Sequence, residues 1–199
     1  MNNIDLTEMI TDPLKKKDRF THKPAFFIHD LYLTEEIKSN EEYTEWFELV
    51  RNASPNDVIK IHINCYGGDL FTAIQFNRVI QECPATIVAS VEGACMSAAT
   101  IIFMASNSFE VSDHSMFMFH NYSSILGGKG GEMYDRLLHE RAWSEKMLND
   151  FYKDFLTVKE INSILEGKDI WMDGDEVVKR LEKKYKKLKR ETKVKVDES

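Results

Sequence analysis

Three short stretches place residues that can do acyl-transfer chemistry at the ends of apolar runs. The first is Val91-Glu92-Gly93-Ala94-Cys95-Met96-Ser97-Ala98-Ala99-Thr100, which follows the β-branched run Thr86 to Val91 and leads into Ile101-Ile102-Phe103-Met104 at helical spacing. A serine at such a strand-to-helix turn, in a bed of small residues, has close backbone approach and helix N-terminal amides beside it, the setting of a nucleophile. The plain alternative is that Gly93, Ala94, Ala98 and Ala99 are small for packing, with Ser97 bonded to its own helix. The second stretch is Asn64-Cys65-Tyr66-Gly67-Gly68-Asp69, between a strand and a helix. A glycine pair there lets the backbone approach a ligand and turn free N–H groups toward a developing negative charge, although most such pairs only make a turn. The third is His120, which closes the run Met116-Phe117-Met118-Phe119. A histidine at a strand end can offer one ring nitrogen to a cleft while a carboxylate holds the other. The other five histidines show no comparable setting in the sequence.

The elements that must position these groups are legible from periodicity. Ala25 to Ile28 reads as a first strand, and Tyr43, Trp46, Phe47 and Val50 mark an amphipathic helix ended by the turn Ser54-Pro55-Asn56-Asp57. Ile59, Ile61 and Ile63 alternate on one face of a strand, and Ala73, Phe76, Val79, Ile80 and Cys83 share one side of a helix that Pro84 ends. Phe109 to Val111 and Met116 to Phe119 read as short strands. The Gly127-Gly128-Lys129-Gly130-Gly131 segment is not followed by Lys-Ser/Thr, so a phosphate loop is excluded and an exposed, flexible backbone edge remains. A long helix runs from Glu132 to about Leu156, Thr157-x-x-Glu160 is a capping box opening a short helix, and Asp173 to Glu176 opens a last, basic helix.

With 199 residues, 43% of them hydrophobic, the chain can bury one real core. The expected organisation is an N-terminal arm at 1–22, a single domain at 23–180 and a basic tail at 181–199, read as a solvated helix and frayed end. A net charge of −7 argues against nucleic-acid binding by the body. No basic and apolar leader or membrane-length run is found, so the expectation is a soluble cytoplasmic protein with no membrane contact. Cys65, Cys83 and Cys95 form no C-x-x-C pair, which argues for reduced thiols and against a zinc site; no metal or cofactor is expected.

The order of strand, Asn64-x-x-Gly67-Gly68, helix, strand, Gly93-x-x-x-Ser97-x-Ala99, helix, Met118-Phe119-His120-Asn121, glycine-rich loop, long helix and Asp169-x-aromatic resembles the proteolytic subunit of the Clp protease, over residues about 25 to 178. The resemblance implies an α/β Clp/crotonase-like fold of repeated ββα units with a protruding handle helix. It implies Ser97 as nucleophile, His120 as general base and Asp169 as the acid orienting His120, with the amides of Gly68 and Ala98 as oxyanion hole. Gly67, Gly127, Gly128, Gly130 and Gly131 would lie against an extended substrate polypeptide. The implied activity is a serine endopeptidase acting on unfolded polypeptides in a chamber of stacked homo-oligomeric rings, fed by a separate AAA+ unfoldase. The chain departs from the family at Cys65-Tyr66, where Ser-Pro is usual, at Cys95-Met96, at Ala98, and after Val178, where Lys179-Arg180-Leu181 stands. Two other readings use the same residues: a catalytically silent subunit of a mixed ring, and a crotonase-like acyl-CoA enzyme with Glu92 as its nearest carboxylate.

Overall fold

The computed structural model describes residues 26–197, with side chains described through residue 187. The expected N-terminal arm lies outside the described residues. Six strands, β1 (Ile28–Leu33), β2 (Val58–Cys65), β3 (Thr86–Met96), β4 (Ser108–Val111), β5 (Met116–Phe119) and β6 (Ile170–Asp173), form one sheet. The helices are α1 (Thr44–Asn52), α2 (Leu70–Glu82), α3 (Ala98–Ala105), α4 (Gly130–Tyr152), α5 (Val158–Leu165) and α6 (Gly174–Asp197). The sheet order is β1-β2-β3-β5-β6, with β4 also on β3; β6 is antiparallel and the other pairings are parallel.

Strand–helix alternation produces this arrangement because parallel neighbours need a helical crossover. Ile59, Ile61 and Ile63 on β2 and Ile87, Ala89 and Val91 on β3 turn to the same face and are buried beneath α2 and α3. α3 is apolar except for Thr100 and buried from Ala98 to Met104, so it is a core helix and not a surface one. Tyr43, Phe47 and Phe76 close the other end of the core through edge-to-face and tilted ring contacts.

The first strand begins three residues later than the sequence pattern suggests. Phe27 is used for attachment instead: its amide donates to Asp57 Oδ1 (2.8 Å), while Ser54 N–H donates to Oδ2 of the same carboxylate (2.8 Å). β3 in turn is longer than its β-branched run. Val88 to Val91 pairs with β4, and Ala94 to Met96 pairs with β5, so one strand serves two successive partners on one edge. Between them the register against β2 shifts, from Ile63↔Val91 to Cys65↔Cys95. Asn64 fills that irregularity by accepting the Ala94 amide at 2.9 Å, and a Cβ on Gly93 would sit 2.6 Å from the same Asn64 oxygen. Such a bulge re-aims a strand, and here it delivers the chain to Ser97.

α4 starts at Gly130, two residues before the expected position, because Met133 N–H closes the first turn onto Lys129 O at 2.9 Å. Its first half exposes Tyr134, Leu137 and Leu138, and its second half buries Met147, Leu148 and Tyr152. The predicted capping box at Thr157 and Glu160 is formed, and Arg180 of α6 makes two bonds to the Glu160 carboxylate (2.8 and 2.9 Å). α6 continues unbroken across the boundary expected at residue 180, with Leu181 in the core. Among the described residues no helix is long and apolar enough to cross a membrane.

Candidate active site

Ser97 stands between β3 and α3 with φ 54° and ψ −129°, the one non-glycine residue at positive φ among the described residues. A β-carbon in that region costs about 1–3 kcal/mol and persists only where surrounding structure enforces it. The enforcing contacts are visible. Ser97 N–H donates to Met118 O (2.8 Å), and Ser97 O accepts from the amide (3.0 Å) and the hydroxyl (2.6 Å) of Thr100. Serine at a helix N-cap usually turns its hydroxyl onto the first-turn amides. Ser97 makes no such cap; its Oγ lies 2.6 Å from Nε2 of His120, which follows β5 directly. The local geometry therefore gives up a cap to aim an oxygen at an imidazole.

The glycine pair packs against this turn. A Cβ on Gly67 (φ 105°) would come within 2.6 Å of Ser97 Cβ, and one on Gly68 (φ 140°) within 2.3 Å of Ile37 O. Ile37 N–H to Gly67 O and Asp69 N–H to Ile37 O, both 2.8 Å, clamp the loop from outside. The loop's interior is held by sulfur: Gly67 N–H donates to Cys65 Sγ (3.3 Å), and the thiol faces Glu35 O at 3.0 Å. Burial pushes the Cys65 and Cys95 thiols up, so both are structural groups and not nucleophiles. The Gly68 amide and the Ala98 amide, the latter at the first position of α3, find no acceptor among the described residues. Unpaired amides beside a serine are what an oxyanion requires.

A cleft of about 560 Å³ opens over these groups. Gly68, Ser97, Ala98 and His120 line it with Phe71, Ile101, Tyr122, Trp143 and Met147. Phe71 stacks on Trp143 with centroids 5.8 Å apart, and Trp143 meets Tyr122 edge-on at 6.1 Å. Tyr122 donates to Glu140 Oε2 (3.0 Å), whose other oxygen accepts from Arg136 Nε (2.6 Å), so α4 ties down the segment after His120.

Other expected residues fall elsewhere. Asp169 precedes β6, and the antiparallel register, with Phe119 opposite Ile170, sets its backbone opposite His120. Its side chain is exposed and makes no hydrogen bond to His120. Gly127 and Gly128 lie outside regular structure, whereas Gly130 and Gly131 are the first helical residues of α4 and not an extended edge; none of the four lines the cleft. Glu92 faces away from the cleft, bonded to His62. His62 is held by Asp30 (3.0 Å) and Glu92 at its two nitrogens and stacks on Tyr32 at 4.6 Å, a carboxylate-flanked setting that the sequence suggests for His120 alone. The signal was there in the alternation: Asp30, His62 and Glu92 all occupy outward positions of neighbouring strands.

The Clp protease family model matches residues 28–180. Among solved structures, a ClpP1 mutant from Listeria monocytogenes is similar at 19% sequence identity with a TM-score of 0.60, over 76% of this chain and 86% of that one. No curated protein sequence matches the chain. The structural likeness carries the Clp/crotonase-like fold, and with the family match over most of its length the chain belongs to the Clp protease family.

Proposed function

We propose that this chain is a serine endopeptidase that cuts unfolded polypeptides inside a chamber built from its own copies, fed by an ATP-driven unfoldase. The observation that carries the reading is the 2.6 Å approach of Ser97 Oγ to His120 Nε2 on a strained turn flanked by two unpaired amides. In this mechanism His120 takes the Ser97 proton as Oγ attacks the peptide carbonyl, and the Gly68 and Ala98 amides receive the oxyanion. The imidazolium then protonates the leaving amine, and water repeats the cycle on the acyl-enzyme. Asp169, opposite His120 across the β5–β6 pairing, is the carboxylate assigned to fix the Nδ1–H tautomer. The apolar recess of Phe71, Ile101, Trp143 and Met147 suits a large apolar side chain next to the scissile bond. The exposed apolar residues on the outer half of α4 supply a surface for ring stacking. ATP dependence would come from the partner, since the Gly127–Gly131 run lacks a phosphate-loop ending.

One observation favours a second reading, the silent ring subunit: among the described residues no carboxylate bonds His120 Nδ1. The acyl-CoA reading loses its general base, because Glu92 is engaged by His62 on the outer sheet face. The test is hydrolysis of unfolded casein and of a fluorogenic peptide by the purified chain, alongside Ser97→Ala, with mass measured by light scattering. Turnover abolished in Ser97→Ala within a multimeric species supports the peptidase. Assembly with no turnover by the wild type, alone or with an unfoldase, selects the silent subunit.

A further inference from the structure

We propose that Tyr152 and Thr100 form a relay that positions the Ser97–Ala98 peptide, so that the end of α4 sets the aim of an oxyanion-hole amide. The proposal rests on the peptidase reading for its kinetic consequence and on the geometry for its structural one. Thr100 Oγ1 lies 2.6 Å from Ser97 O and 2.7 Å from the Tyr152 hydroxyl. The direction of the chain of bonds follows from proton count. A carbonyl oxygen only accepts, so the single Thr100 proton goes to Ser97 O, and Tyr152 O–H donates to Thr100 Oγ1. Both Thr100 and Tyr152 are buried, and burial pushes the phenol up, so Tyr152 stays a donor across the working pH range.

What the relay grips is the trans peptide whose two ends are Ser97 C=O and Ala98 N–H. Fixing the carbonyl fixes the plane, and with it the direction in which the Ala98 amide points. A hydrogen bond accepted by the carbonyl also polarises the peptide and strengthens the donor at its far end. The relay restrains the carbonyl side of the serine, and so its ψ of −129°, while Met118 O restrains the amide side. Tyr152 comes from the last turn of α4, the helix that carries Arg136, Glu140 and Trp143 along the cleft, so the same element frames the recess and holds the peptide. Tyr152 also lines the cleft, but its hydroxyl bonds Thr100 and the Thr100 hydroxyl bonds Ser97 O, neither bonding Ser97 Oγ or His120; these are positioning residues.

The experiment compares wild type with Tyr152→Phe, Thr100→Val and Thr100→Ser in full-length protein. Two readouts are taken: peptide hydrolysis, and hydrogen exchange of the segment spanning residues 96–101. The expected result is a drop in kcat of about five- to tenfold for Tyr152→Phe and Thr100→Val, the size of one lost neutral hydrogen bond. KM stays unchanged, exchange of the segment is faster, and Thr100→Ser restores both readouts. Wild-type kcat together with unchanged exchange in Tyr152→Phe and Thr100→Val overturns the relay. If the wild type shows no hydrolysis, the peptidase reading falls, and the relay is then decided by exchange alone: faster in both variants supports it, unchanged overturns it.

Discussion

Ser97 is fixed from several sides, by Met118 O, by two bonds from Thr100 and by the missing β-carbon of Gly67, whereas among the described residues His120 is held at one ring nitrogen. The difference follows from where the restraints originate. Those on Ser97 come from β3, α3, β5 and the β2–α2 loop, all packed into the core of this chain. On the proposed triad those on His120 come from Asp169 ahead of β6, whose side chain is exposed. Under the proposed peptidase reading, a serine turn assembled within one chain and a histidine bonded only to that serine imply that the two halves respond differently to mutation.

The largest effect is expected at the loosely held half. If Asp169 turns onto His120 Nδ1 in the assembled enzyme, as the proposed triad requires, Asp169→Asn should lower kcat about 10⁴-fold with little change in KM, because an imidazole held in the wrong tautomer cannot take the serine proton. A loss under tenfold would mean that the carboxylate plays no part. On the tightly held half, Gly67→Ala forces a methyl into Ser97 Cβ and a left-handed φ onto alanine. It should cost about 10²- to 10³-fold in kcat, comparable to losing one oxyanion donor, and steady-state peptide hydrolysis measures both variants.

Away from the cleft the effects are on stability. Arg180 first, then the Thr157 cap, pull the Glu160 carboxyl down to about 2. A group depressed in the folded state stabilises fully above its ordinary value near 4.5 and loses that contribution as pH falls toward 2. Glu160→Gln should therefore cost roughly 2 kcal/mol at neutral pH and flatten the decline of stability between those values in urea titrations. His62 has the opposite sign. Asp30, then Glu92, raise its pKa above 6.5, so its contribution is full below that value and fades as pH rises through the raised one. His62→Gln should remove a small alkaline-side slope in Tm, the weakest effect of the four because both carboxylates are solvent-exposed.

The sequence showed the groups whose placement follows from local chain geometry. Ser97 at a strand-to-helix turn, the Gly67-Gly68 loop, His120 at a strand end and the Thr157–Glu160 box are each defined within a few residues. What stayed hidden depends on register or on distant pairs. The extension of β3 to Met96 hinges on Asn64 absorbing a register shift from the neighbouring strand. Thr100 and Tyr152 are 52 residues apart, and Arg180 lies 20 residues from the carboxylate it clamps. Gly130 and Gly131 lie in α4 and not on an extended edge, because glycine's low helix propensity is outweighed by a long helix whose first turn closes on Lys129 O.

The most direct test of the account is chemical. A fluorophosphonate probe incubated with the assembled wild-type protein should add once per chain, and peptide mapping by mass spectrometry should place the adduct on Ser97, with none in Ser97→Ala. An assembled wild type that takes up no probe, or an adduct mapping to another residue, would contradict the claim that this turn carries an activated nucleophile.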